Sequence, residues 1–236
     1  HFHNVLCLSK AKGMDINMKR YVDMADISDG KYYSSGDLVK AGCSGCGSCC
    51  RGMGKSIVLD PLDIFRLTTR LGCTFEQLLK EKIELSVADG IILPNLKMAE
   101  ASDCCAFLDT QNRCMIHEFR PGICRLFPLG RYYEADSFKY FLQVHECKNE
   151  HPAKVKIKKW LEEPELKRQE TFICRWHYFL KTVCQALDAK NDDGLRRQVS
   201  LYILQKFYME AFPAEGDFYA LFEARVSEAE KMLKGY

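Results

Sequence analysis

Four thiols fall within one short stretch, Cys43-Ser-Gly-Cys46-Gly-Ser-Cys49-Cys50, in a chain that holds 13 cysteines. No apolar core needs thiols at this density, and so short a loop cannot usefully cross-link itself. The chemistry they point to is thiolate ligation of a metal. Cys43, Cys46 and Cys49 are each separated by two residues, the spacing at which three thiolates wrap a cubane iron–sulfur cluster and a fourth comes from elsewhere in the chain. Zinc ribbons take one Cys-x-x-Cys pair from each of two segments, so a third thiol in the same register is surplus to a single zinc. Gly42, Gly45 and Gly47 would let backbone amides point at sulfide or thiolate. Cys50 is the odd member. Neighbouring side chains of an extended segment point opposite ways, so Cys50 either feeds a second site or replaces one of the earlier three.

The remaining donors come from the middle of the chain. Cys105, Cys114, Cys124 and Cys147 bring the set to eight, enough for two four-thiolate centres. Cys104 or Cys105 could be the ligand, and Cys105 is preferred because it leads into the apolar Ala106-Phe107-Leu108. Free loop thiols are the rival reading for residues 43–50, but clustered exposed thiols are an oxidation hazard. Buried apolar cysteine is the rival for the four distal positions. Cys7, Cys73, Cys174 and Cys184 lie alone or in apolar patterns and are left out of the site. His117 and His145 neighbour ligand positions and fit surface or hydrogen-bonding roles better than ligation. Arg120 and Arg125 flank Cys124, where they could neutralise a thiolate centre, hold a substrate carboxylate or fix the turn through a salt bridge.

These residues need elements to position them. Residues 1–42 read as a lead-in. Residues 56–59 read as a short buried strand, and Asp60-Pro61 as a helix start running to Leu71 and stopped by Gly72. Thr74 with Gln77 forms a capping box that opens a second helix through Ile83. Residues 91–98 look extended around Pro94. Two short strands, 104–108 and 114–117, are expected around a polar turn, followed by a turn at 120–125 and a hairpin over 130–144 that leads to Cys147. Beyond residue 150 the pattern is helical. Leu195, Val199, Tyr202, Ile203 and Phe207 share one face, as do Phe218, Leu221, Phe222, Val226, Ala229 and Leu233. Residues 155–190 are mostly helical with an interruption at Pro164, and Lys154, Lys156, Lys158 and Lys159 form a solvated helix face. The predicted fold is mainly α with short β strands (α+β). A lead-in (1–42) precedes a cysteine-rich metal-binding module (43–150), which packs against a helical C-terminal region (151–236).

Lys+Arg number 34 against Asp+Glu 32, a net charge of +2, so there is no basic footprint for nucleic acid. No apolar run approaches a membrane span. The odd cysteine count and the length argue against a disulfide-stapled secreted domain. A cytoplasmic protein is expected, with no nucleic acid or membrane as partner.

The ordered motifs resemble the CxxCxxCC cysteine-cluster family, also called YkgJ-like, of zinc- or iron-chelating proteins. The likeness rests on Cys43 to Cys50, Ile57-Val58-Leu59, Asp63-Ile64, Cys105 to Leu108, Cys114-Met115-Ile116, Arg120-Pro121, Cys124-Arg125 and Phe127-Pro128, over roughly residues 43–150. It implies eight cysteines in metal binding. The cluster is also similar to that of a flagellin lysine methylase, which implies iron–sulfur chemistry with S-adenosylmethionine, although no flagellin-specific feature stands in this chain.

Two functions follow as expectations. In the first, an iron–sulfur cluster, [4Fe-4S], works in redox chemistry or S-adenosylmethionine-dependent alkyl transfer to a protein or small-molecule substrate. In the second, zinc or iron is a structural staple and the helices bind a partner. No phosphate loop, dinucleotide fingerprint or nucleophile–base motif accompanies the cysteines, and whether the chain is an enzyme stays open.

Overall fold

Helix α1 (Pro61–Leu71) begins where its own side chains satisfy the free amides of its first turn. Asp60 Oδ1 accepts from the Asp63 N–H at 2.8 Å, Asp63 Oδ2 accepts from the Asp60 N–H at 3.1 Å, and proline takes the first helical position. These residues belong to a computed structural model that describes residues 30–144 and 146–233. Cys7, His145 and most of the lead-in lie outside the described residues. Gly72, at φ 63°, ends α1, and Thr74 with Gln77 repeats the reciprocal cap for α2 (Phe75–Glu81).

Helix α2 stops before the predicted Ile83. That residue instead opens β2 (Ile83–Ala88), which pairs antiparallel with β3 (Ile91–Leu96) through a turn at Asp89-Gly90, both at positive φ. Residues 56–59 lie extended beside β3 without forming a strand of their own. Val58 bridges Asn95, the Leu59 N–H donates to Pro94 O at 2.8 Å, and the Leu96 N–H donates to Ile57 O at 3.0 Å.

The two predicted cysteine strands shrink to one pair. Strand β4 (Met98–Ala99) pairs with β5 (Cys104–Cys105), and the chain then closes a tight loop around Asp109, whose Oδ1 accepts from the N–H groups of Gln111 (2.9 Å) and Arg113 (2.7 Å). Leu108 and Cys114 meet only as an isolated bridge. The predicted turn at 120–125 is a short helix, α3 (Gly122–Leu126), entered from a 3₁₀ turn at His117–Phe119. The hairpin β6 (Leu129–Glu134) and β7 (Ser137–Leu142) forms as expected, turning at Ala135-Asp136.

Strand β1 (Leu38–Lys40) pairs with β8 (Lys154–Lys156), and Tyr33 bridges Tyr140, so the last residues of the lead-in are built into the fold. Lys154 and Lys156 therefore stand on a strand, not a helix face, while Lys158 and Lys159 lie on α4 (Ile157–Leu161); all four are exposed. Helices α5 (Leu166–Lys190) and α6 (Asp193–Leu204) follow, then a π turn (Gln205–Met209) and α7 (Phe218–Leu233). Val199, Ile203, Phe207, Phe218, Phe222, Val226 and Ala229 are buried as their spacing predicts, each full burial worth roughly 1.5–3 kcal/mol for the larger side chains.

The result is a mixed α+β fold with four two-stranded antiparallel sheets. One continuous buried cluster runs from Met53 through Cys105, Phe107 and Ile116 to Trp176, Phe207 and Ala229, so cysteine segments and helices share a core. A smaller cluster around Val39, Leu129, Tyr140 and Ile157 closes the β1–β8 end.

Candidate metal centre

The cysteine loop turns where the sequence suggests it should extend. Gly45 (φ 69°) and Gly47 (φ 71°) adopt the left-handed conformation, and residues Ser48–Cys50 form a 3₁₀ turn closed by the Cys50 N–H on Gly47 O at 3.0 Å. Any side chain on Gly47 would press on the Asn112 carbonyl, since a Cβ there would lie 2.9 Å from it. The turn cancels the alternation argued for an extended segment. Cys49 and Cys50 face the same locus, and the Cys50 thiol shares hydrogen bonds with Cys114 and Cys49. The Gly42 carbonyl accepts from Asn149 Nδ2 at 3.1 Å and stands 4.0 Å from Cys147 Sγ.

The loop is clamped onto the segment that carries the distal thiols. Arg51 Nη1 donates to Cys104 Sγ at 2.6 Å, and its other terminal nitrogen donates to Asn112 Oδ1. Arg113 Nη1 donates to Gly45 O at 3.2 Å. These contacts separate the adjacent pair. Cys104 turns to Arg51 and donates its thiol to Ser102 O at 3.1 Å, whereas Cys105 is buried, accepts from the Phe107 N–H at 3.5 Å and lies within the field of Cys114 and Cys49.

Cys124 arrives on α3, and its placement depends on Asp63, which enters the sequence pattern only through the Asp63-Ile64 segment of the family resemblance. Asp63 is buried, and its Oδ1 accepts from the Gly122 N–H at 2.7 Å, which ties the start of α1 to the start of the Cys124 helix. The Asp60-x-x-Asp63 cap is visible in the sequence; its reach to Gly122 is not.

Cys49, Cys50, Cys105, Cys114 and Cys124, from four segments, lie near enough to influence one another electrostatically. Their electrostatics agree with that crowding. Burial pushes the Cys124 thiol well up, and the neighbouring Cys105, Asp63, Cys114 and Cys49 push it further. Cys105 is likewise raised by burial. Cys114 is pulled down to about 7, first by its hydrogen bond with Cys50, then by the Ile116 N–H and the Arg120 charge, and Cys50 is raised as its partner. Cys46 sits at the rim, lowered by the Ser48 hydroxyl 3.3 Å from its sulfur.

The other two predicted ligands stand apart from this set. Cys43 is exposed, and Cys147 lies near Gly42 on the wall of a cavity of about 170 Å³ that Lys40, Gln143 and Asn149 also line. Among the described residues no three His, Cys, Asp or Glu side chains stand ready in coordinating geometry. Neutral thiols pack through S–H contacts, and a metal must displace their protons before they draw into a common shell. Both ring nitrogens of His117 lie against Arg120 Nη1, at 2.8 and 2.5 Å, which occupies the imidazole as a hydrogen-bonding group. Among the cysteines left out, Cys184 is buried on α5 and donates to Asp89 O at 3.2 Å, a core role.

A chain segment that gathers thiolate donors in this way is of the metal-chelating class. Residues 42–148 match the family model CxxCxxCC, described as "Putative zinc- or iron-chelating domain". No curated protein and no solved structure matches the chain. No described helix is long and apolar enough to cross a membrane.

Proposed function

We propose that these thiols hold an iron–sulfur cluster of the [4Fe-4S] type, its four ligands drawn from Cys49, Cys50, Cys105, Cys114 and Cys124, with Cys46 at the rim. Cys43 and Cys147, on either side of Gly42, are donors to an outer, second position. The observation that supports this reading over zinc is the Cys-x-x-Cys-x-x-Cys spacing of Cys43, Cys46 and Cys49, whose third thiol is surplus to a zinc ribbon, on a loop where Cys49 acts electrostatically on Cys50, Cys105, Cys114 and Cys124. When bound, such a cluster supplies an electron or a Lewis-acid iron, and alkyl transfer from S-adenosylmethionine to a protein or small molecule is one use of that chemistry. The chain's own part is to exclude water from Cys105 and Cys124, to hold the loop through Arg51 and Arg113, and to keep positive charge beside Cys114.

One specific observation favours a second reading, a four-thiolate zinc site. Cys50 and Cys114 are already in S–H contact. A tetrahedral zinc with Zn–S of about 2.3 Å brings its sulfurs to about 3.8 Å from one another, which is contact distance. A cubane seats each cysteine on a different iron and spreads them further.

Anaerobic purification followed by iron, zinc and acid-labile sulfide analysis with visible absorption separates the two. The expected outcome is a brown protein with matching iron and sulfide. Colourless protein containing zinc alone overturns the cluster and leaves the second reading.

A further inference from the structure

Arg120 is a buried cation that lacks the partner a buried cation requires. It is 8 % exposed, and among the described residues no carboxylate lies within ion-pair distance of it. Its neighbours are better provided. Arg125, 7 % exposed, donates to Glu118 O at 2.7 Å and has Glu162 at 3.9 Å, and Arg66 has Glu163 at 2.8 Å. Arg120 Nη1 contacts only His117, reaching both ring nitrogens and donating to the backbone oxygen at 3.1 Å. An imidazole carries no negative charge in either protonation state. It therefore orients the guanidinium without neutralising it.

Burying a guanidinium without an ion-pair partner is costly, which points to an anion that stands there in the loaded protein. The direction in which that anion lies is fixed by the chain. His117 belongs to the turn that begins at Cys114, its N–H donating to Cys114 O at 3.3 Å, and Arg120 acts on the Cys114 sulfur through space.

We infer that Arg120 is the counter-charge of the loaded thiolate centre and that His117 is the residue that positions it. Four thiolates on Zn²⁺, or on a cluster core of charge 2+, carry a net charge of −2, and the guanidinium offsets part of it. The inference rests on the metal-binding reading but is indifferent to which metal is bound. It also separates Arg120 from Arg125, which serves Glu118 and Glu162 and braces the turn.

The test compares the unsubstituted protein with Arg120→Gln and Arg120→Lys, titrated with Zn²⁺ against a competing chelator, and measures urea unfolding of the metal-free forms. Arg120→Gln should weaken Zn²⁺ binding about tenfold or more, given Coulomb attraction at the dielectric of a partly buried site. Its metal-free form should unfold at the same urea concentration as wild type or a higher one, because an uncompensated buried charge has gone. Arg120→Lys, which keeps the charge and loses the fork, should bind within about threefold of wild type. Equal Zn²⁺ affinity in Arg120→Gln and wild type overturns the inference, and so does an equal loss of stability in the metal-free and zinc-loaded forms, the mark of a purely structural residue. If Arg120→Gln does not fold, Arg120→Lys decides: a tenfold loss of affinity overturns the inference and near-wild-type affinity upholds it. Wild-type protein that takes up no Zn²⁺ overturns the metal-binding reading itself, a different result from wild type and variant binding alike.

Discussion

Asp63 is the residue through which the helix start at Asp60 controls the position of Cys124, and replacing it tests that link directly. Its carboxylate satisfies two backbone donors, the Gly122 N–H at 2.7 Å and the Asp60 N–H at 3.1 Å. Asp63→Ala orphans both. Losing the capping-box arm costs about 1 kcal/mol. Leaving the Gly122 N–H unsatisfied in a buried turn costs about 1–3 kcal/mol. The total is about 2–4 kcal/mol, drawn toward the lower end because the substitution also removes a carboxylate crowding Asp60. Asp63→Asn keeps an oxygen for Gly122 and gives up only the cap, so its cost should be about 1 kcal/mol. Urea unfolding measures both, with and without Zn²⁺. The zinc-dependent gain in stability should shrink further in Asp63→Ala than in Asp63→Asn, since only the former frees the Cys124 helix, and a bound ligand stabilises according to its affinity for the folded state. An alanine variant within about 0.5 kcal/mol of wild type, or an asparagine variant as damaged as the alanine one, would refute the reasoning.

Two further outcomes follow from the same geometry. Cys105→Ser should lose metal while Cys104→Ser keeps it, because Cys104 is turned to Arg51 and Ser102 whereas Cys105 faces Cys114; metal content after desalting reads this, and equal loss in both variants would count against the assignment. Burial, and then the Asp63 carboxylate, push Asp60 up to about 8, and Asp63 is raised as well. The folded pair therefore keeps a proton that the unfolded chain releases above about pH 4. More protons bound in the folded state means that stability falls as pH rises from about 4 towards 8. Urea midpoints of metal-free protein across that window should decline, with a flatter profile in Asp63→Asn; a rising midpoint would show that the pair ionises freely.

Local chemistry announced the helix starts because caps are short-range. Asp60-Pro61 and Thr74 with Gln77 carry their own hydrogen-bond partners within three residues, and the apolar faces of α6 and α7 repeat at helical spacing. Strand β2 escaped because it follows α2 without a breaker; only Asp89-Gly90, at its far end, marks the hairpin. Strands β1 and β8 carry no local signal at all, being three residues each and paired across most of the cysteine segment. At the site, spacing and composition pointed to the sulfurs, and the apolar run after Cys105 is what favours it over Cys104 as the proposed ligand. The direction in which Cys50 points depends on two left-handed glycines and a 3₁₀ turn, and Asp63 meets Gly122 across 59 positions; neither can be read from a window of residues.

The helical half takes part in holding the inner thiols. Tyr208, in the π turn after α6, is buried and donates its hydroxyl to Leu59 O at 3.0 Å, immediately before Asp60. From there the contacts continue through the Asp60–Asp63 cap to Gly122 and so to the helix of Cys124. Cys105, Phe107 and Ile116 meanwhile lie in the same buried cluster as Trp176 and Phe207. A close-packed interior resists displacement, so Cys105 is held in place, and the partly buried Cys50, Cys114 and Cys124 pack against the same cluster. Cys43 and Cys46 are exposed on a glycine-bearing loop pinned by Arg51 and Arg113, and Cys147 borders an open cavity. The centre is therefore asymmetric in stiffness. On the proposed metal-binding reading, Cys105 in the core would define the position of the metal, and Cys43, Cys46 and Cys49, exposed on the loop, would be the donors that move toward it.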